Sequence, residues 1–235
     1  MILAQTTSWD IFVNSLFDKG GYKDVLQGLV NTLEIAILGL IIGIAIGTII
    51  AVVKVVPKYK KLPRVLEKVA DIYVGFFRGT PMIVQLLIGK YILLAKVPID
   101  DVLIAVVIFG LNSGAYVSEI MRSGIQSVDI GQLEAGRALG MSYAATMMKV
   151  IIPQAIKNIL PTLGNEFIVL VKETSVVSFI AVTDVTKAFR SIADSNYEYL
   201  VPYLMLAVVY LVIVMLITLL IKVMERRLQK SDRGN

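Results

Sequence analysis

The 235-residue sequence contains no cysteine and no histidine. The first absence excludes a disulfide framework and thiolate metal sites; the second removes the commonest metal ligand, proton shuttle and triad base. Charge is scarce, at 17% Asp, Glu, Lys and Arg, and no G-x-x-x-x-G-K-[S/T] run is present to cradle nucleotide phosphates. Enzyme chemistry is therefore hard to build from this chain alone, and no cofactor is expected in it. What fills the sequence instead is apolar: 57% of residues are hydrophobic and the mean hydropathy is +0.77, more than a soluble domain can hide. The fold class read from this is an all-α membrane protein. The net charge of +5 comes from basic residues beside apolar runs, not interleaved with exposed aromatics, which suits lipid headgroups and argues against nucleic acid. Met1–Thr7 lacks a positive n-region and a small-residue cleavage site, so no signal peptide is predicted.

Residues 1–24 are read as an N-terminal interfacial helix: Trp9, Phe12, Val13, Leu16 and Phe17 fall at helical spacing with Asp10 and Asn14 opposite, until Gly20-Gly21 breaks the pattern. Five membrane spans follow over about residues 25–55, 65–95, 101–122, 154–182 and 199–223, within a domain of 25–228. Ile35–Val53 alone offers 19 uncharged residues, about 28 Å of helix against a hydrocarbon core of roughly 30 Å. Gly39, Gly43 and Gly47 share one face of the first span, for close helix packing or, alternatively, a glycine-lined ligand path. Lys54, Lys58, Lys60, Lys61, Arg64 and Lys68 mark a basic cytoplasmic loop, which places the N-terminus outside; Lys222, Arg226, Arg227, Lys230 and Arg233 anchor a cytoplasmic C-terminal tail over 229–235. Asp184–Glu198 reads as a polar outside loop.

Three features carry function. The second span is interrupted at Arg78-Gly79-Thr80-Pro81, where Pro81 lacks an N–H and Gly79 is conformationally free, so a kink or unwound stretch is predicted, tolerated only against protein or water. Arg78 offers a planar charged fork for a carboxylate, aided by backbone N–H groups at Gly79, Thr80 and the following half-helix; equally, it pairs with an acid such as Asp71 or Glu173. In the third span Asn112, Tyr116 and Glu119 share an inward face with Ser113 beside it; Glu119 either pairs with Arg122 or serves a pathway. The fourth span carries Asn165, Glu166, Lys172 and Glu173, too polar for lipid; Lys172 is poorly placed to neutralise either acid and needs a partner elsewhere. An acid such as Glu166 or Glu173 facing the same cavity as Arg78 would accept the cationic end of an arginine, lysine or histidine.

Third, Gly131–Pro153 is a short helical segment too polar to span a bilayer, with Gly140 free to end a turn and Pro153 placed to start the next element. Glu134-Ala135-Gly136, then Gly140, then Val150 and Ile152-Pro153, resembles the EAA loop of the membrane-spanning subunits of ABC importers, with intact spacing and conservative departures at Gly136, Val150 and Ile152. Phe77-Arg78-Gly79-Thr80-Pro81, Ala115–Ile120 and Lys172-Glu173-Thr174-Ser175 extend the resemblance to the polar amino-acid (histidine, glutamine, arginine type) permease branch, a type I importer fold.

The resemblance implies a multi-pass protein of the cytoplasmic membrane that imports polar amino acids, cationic ones such as arginine, lysine or histidine included. It implies a cytoplasmic coupling helix over about 131–147, between spans three and four, in which Glu134, Ala135, Gly136 and Gly140 meet an ATPase subunit. The partners it implies are two ATPase copies carrying ATP and Mg, a second permease as homodimer or close heterodimer, and an extracytoplasmic amino-acid-binding protein. Because members handling different amino acids share Lys-Glu-Thr-Ser, Glu173 reads as structural and Glu166 as the selectivity residue. The substrate candidates are thus Arg78, Gly79, Thr80, Asn112, Tyr116, Asn165 and Glu166. Two other readings stand beside this one: a channel or secondary transporter working alone, though only one span is broken and no second copy is found; and an intramembrane enzyme using Ser175 and Lys172.

Overall fold

A computed structural model describes residues 7–56 and 61–232, with side chains through Arg227. Lys58, Lys60 and Arg233, the side chain of Lys230 and most of Met1–Thr7 lie outside the described residues. Every described element is helical: α1 (Ser8–Val13), α2 (Gly21–Val55), α3 (Lys61–Gly79), α4 (Met82–Ile88), α5 (Asp101–Gln126), α6 (Ile130–Ala138), α7 (Tyr143–Thr146), α8 (Ile152–Glu173), α9 (Val185–Asn196) and α10 (Leu200–Asp232). Wider five-residue turns extend α1 over Asn14–Asp18 and α4 over Gly89–Leu93, and bridge α7 to α8 over Met147–Ile151.

Among the described residues α2, α5 and α10 are long and apolar enough to cross a membrane, and the broken pair Lys61–Gly79 and Met82–Leu93 makes a fourth if it is one span. α8 is not among them, diluted by Gln154, Lys157 and Asn158 in its first half and by Asn165, Glu166, Lys172 and Glu173 in its second. Its α-helix stops at Glu173 and tightens to a 3₁₀ helix over Thr174–Ile180, short of the continuous 154–182 helix expected. α10 runs past the expected end at 223 into the segment read as a tail.

The chain forms two compact units. In the first (Met1–Gly39, Pro81–Phe109, Val169–Leu216), Asp184–Glu198 is not a loop. Val185, Ala188, Phe189, Ile192 and Ala193 recur at helical spacing and are all buried, so the stretch folds as α9 against α1. Phe12 stacks on Phe189 with centroids 6.4 Å apart, and Val25, Leu29, Met205 and Val209 close the cluster. Asp184 caps α9 by accepting from the Thr186 and Lys187 N–H groups at 2.9 and 3.0 Å, and burial pushes its carboxyl pKa up. Asn31 of α2 donates to the Thr183 carbonyl at 2.8 Å, tying the cap to α2. α1 begins with a reciprocal Thr7–Asp10 capping box and ends before Gly20 at φ +78°.

In the second unit (Leu40–Thr80, Gly110–Ile168, Ile217–Asn235), α2 and α5 meet through reciprocal glycines, so Gly43 and Gly47 serve close helix packing. A Cβ at Gly43 would stand 2.7 Å from the Ser113 side chain and one at Gly47 2.7 Å from Val117; across the seam, Gly110 faces Ile42 and Gly114 faces Ile46. Val117, Ala155, Ile159 and Leu163 form the buried core between α5 and α8.

Candidate functional site

Arg78, Gly79, Thr80, Asn112, Tyr116, Glu166 and the segment from Ile130 to Ile151 belong to the second unit, while Pro81 opens the middle stretch of the first. The helix break falls where Pro81 predicts it. α3 ends at Gly79 and Pro81 is extended at φ −65°, ψ 142°. Gly79 itself stays helical, with open space where a Cβ would be, so the break belongs to Pro81 rather than to glycine freedom. The missing N–H of Pro81 would have bonded the carbonyl four residues back, at Phe77. Asn112 Nδ2 donates to that oxygen instead, at 3.3 Å, and Thr80 Oγ1 donates to the Phe76 carbonyl at 2.8 Å. Two of the seven substrate candidates are thereby spent on the open end of α3.

Arg78 pairs with no acid among the described residues. Its guanidinium sits 5.4 Å from the Tyr116 ring centroid, an exposed cation–π contact between α3 and α5. Glu166 is buried and accepts a hydrogen bond from Ser113 Oγ at 3.0 Å, which ties α8 to α5. Asn165 is exposed on α8 and joins none of the others. Arg78, Tyr116, Thr80 and Asn112 are therefore brought together at the end of α3, and Asn165 is not.

Asp71, offered as a partner for Arg78, binds Lys54 at 2.9 Å. Lys54 also reaches Glu119 at 2.8 Å, and Glu119 accepts from Arg122 at 2.6 Å. The expected Glu119–Arg122 pair is present, but as one arm of a network over α2, α3 and α5. The sequence reads Lys54 as the start of the basic loop; in the fold it lies in the last turn of α2 with its side chain only 10% exposed. A lysine heading a basic run reads as a loop charge, and only acids 17 and 65 positions away, brought in by the fold, make it a node.

The segment expected as one helix over 131–147 is two helices. Asp129 caps α6 by accepting from the Gly131 N–H at 2.6 Å. Gly140 closes it at φ +78°, with the Gly140 and Met141 N–H groups bonded to the Arg137 and Gly136 carbonyls, both at 3.0 Å. Ser142 then caps α7 by accepting from Ala145. Gly136, the departure from the alanine of the resembled motif, has a cause: a Cβ there would come 2.5 Å from Thr146 Cγ2, and Thr146 is fully buried. Glu134 and Ala135 are exposed, as are Ile130, Leu139 and Met148, and the Glu134 carboxylate has no partner among the described residues. Tyr143 Oη donates to the Val55 carbonyl at 3.3 Å, joining the segment to the end of α2, and both residues line a cavity of about 600 Å³.

Residues 39–230 match the family model described as a binding-protein-dependent transport system inner membrane component. The chain is 39% identical to the arginine transport system permease protein ArtQ of Bacillus subtilis (strain 168), over 88% of this chain and 94% of that one. It is 37% identical to the L-cystine transport system permease protein TcyB of the same organism, over 98% and 95%. It is 38% identical to a putative glutamine transport system permease protein GlnP of Rickettsia typhi (strain ATCC VR-144 / Wilmington), over 87% and 92%. Among solved structures, an amino acid ABC transporter crystallised with histidines superposes with TM-score 0.81 at 40% identity, covering 90% of this chain and 97% of that one. A methionine ABC transporter chain shares the fold at TM-score 0.68 and 19% identity, over 87% and 94%.

Proposed function

The chain belongs to the family of binding-protein-dependent transport system inner membrane components, and from that premise we propose that it is the permease subunit of an ATP-driven importer of polar amino acids. The observation that carries this reading is α6: a short, well-capped helix whose Glu134 has no partner among the described residues and whose Ala135, with Leu139 just after it, stays exposed. The chain is a membrane component and not itself an enzyme, so ATP hydrolysis belongs to a separate subunit. In the proposal five spans, counting α8 and the broken pair as one each, put the N-terminus outside and α6 in the cytosol. Two ATPases seat on the two copies of α6, a second permease completes the path, and a binding protein delivers substrate from outside. The names of the relatives, all transport-system permeases, favour this over a stand-alone channel or secondary transporter.

For the substrate, we place the α-carboxylate at Arg78, held on Tyr116 beside Gly79 and Thr80. Asn112 supports the open end of α3, and Glu166, held by Ser113, sets preference for a cationic side chain. Relatives named for arginine, glutamine and cystine support a polar amino acid and leave charge preference to Glu166. The test is uptake in vesicles containing the assembled transporter. Glu134→Arg abolishes substrate-stimulated uptake while leaving insertion intact, and Glu166→Gln lowers uptake of arginine more than of glutamine. Normal uptake by the first variant overturns the coupling role; equal loss for both substrates in the second overturns the selectivity role.

A further inference from the structure

The expected contact of α6 with an ATPase transmits force through the chain on either side of it, to α5 and to α8. The structure holds a further connection. Tyr143, the first residue of α7, donates to the carbonyl of Val55, the last residue of α2. That carbonyl is one of the four at a helix C-terminus with no partner inside the helix, so the tyrosine satisfies a group that otherwise needs water. One residue earlier, Lys54 holds Asp71 of α3 at 2.9 Å and Glu119 of α5 at 2.8 Å, and Arg122 closes on Glu119. Asp71 is seven residues before Arg78 on α3, and Glu119 is three residues after Tyr116 on α5, so each lies on the same helix face as its companion. The ion pairs thus fix α3 against α5 one to two turns from the place where Arg78 stacks on Tyr116.

We propose that the last turn of α2 is a mechanical relay, in which Tyr143 passes movement of the α6–α7 segment to Lys54, and Lys54 sets the register of α3 on α5 and hence the Arg78–Tyr116 stack. Tyr143 and Lys54 are positioning residues in this scheme and touch neither substrate nor nucleotide. Its physical basis is that both sites bias one element: the turn is gripped from one side by the Tyr143 hydroxyl and from the other by ion pairs to Asp71 and Glu119, with the lysine side chain largely buried. The relay rests on the coupling reading of α6 given above.

The experiment measures ATP hydrolysed per amino acid imported by the complete transporter in proteoliposomes, for Tyr143→Phe, Lys54→Met, Lys54→Arg, the Tyr143→Phe/Lys54→Met double variant, and Glu134→Arg. Tyr143→Phe keeps the ring and removes the hydroxyl that bonds the Val55 carbonyl, so the ratio rises about fivefold. Lys54→Met strips both acids of their shared cation and raises it about tenfold, and Lys54→Arg, which keeps the charge, returns it to within about twofold of the parent. The double variant matches Lys54→Met alone, because the two residues act in series. Unchanged ratios in Tyr143→Phe and Lys54→Met while Glu134→Arg uncouples overturn the relay and leave the coupling role of α6 standing. Multiplying effects in the double variant overturn the series arrangement. Normal transport by Glu134→Arg overturns the underlying reading instead. Should Lys54→Met fail to assemble, the volume-conserving Tyr143→Phe still decides the matter.

Discussion

α9 and α6 are short helices of similar length on the same chain, and they treat their apolar residues in opposite ways. α9 turns Val185, Phe189 and Ile192 inward onto Phe12 and is fixed at its start by buried Asp184. α6 buries only Gly136, while Leu139 is 83% and Ile130 71% exposed. Each helix is well capped, so neither owes its shape to a partner; what differs is where the apolar surface goes. A helix that finishes its burial within the chain is scaffold. One that leaves apolar residues and an acid without a partner among the described residues outside, on a backbone closed by a left-handed glycine, is the surface that the proposed function assigns to another molecule.

That contrast can be broken by mutation. The largest effect falls on the scaffold: Phe189→Ala removes a stacked, buried ring and costs about 3–5 kcal/mol, seen as a collapse in detergent-extracted folded yield. Next, Gly136→Ala restores the motif's alanine but drives a methyl into Thr146, costing about 1–3 kcal/mol in thermal unfolding; adding Thr146→Ser or Thr146→Ala recovers part of it. Gly140→Val costs about 1–2 kcal/mol by forcing a β-branched residue to φ +78° and loosens the α6–α7 junction. Leu139→Ser shifts stability by less than about 0.5 kcal/mol, being exposed, yet weakens ATPase association measured by co-purification. The smallest effect is in α1. The Thr7 hydroxyl and N–H hold the Asp10 carboxyl below its ordinary value of 3.8, so the capping box contributes stability above that pH and loses it as pH falls through the lowered value, read as acid-promoted amide exchange at Asp10 and Ile11.

Much of this was legible in the residues. The apolar runs, the glycine face of α2 and the break at Pro81 each follow from one local rule, and each is found in the fold. α9 was also legible: its apolar positions follow a helical period, but the polar composition of Asp184–Glu198 outweighed it. Lys54 and Asn112 were beyond reach for a different reason. Their partners, Asp71 and Glu119 for one and the Phe77 carbonyl for the other, are supplied by helices whose relative register no spacing rule states. Glu166 shows the limit from the other side: polarity in an apolar helix singles it out, while only the fold shows that Ser113 holds it.

The central claim, that α6 is offered to a cytosolic partner, is tested most directly by one cysteine. The natural chain has none, so Leu139→Cys places a unique thiol on the most exposed part of the α6–α7 junction. Labelling with a membrane-impermeant maleimide in inside-out and right-side-out vesicles, with and without the ATPase subunit, reads both sidedness and cover. The account predicts labelling only in inside-out vesicles, and its loss when the ATPase is bound. Labelling from the outer face, or labelling that the ATPase leaves untouched, contradicts it.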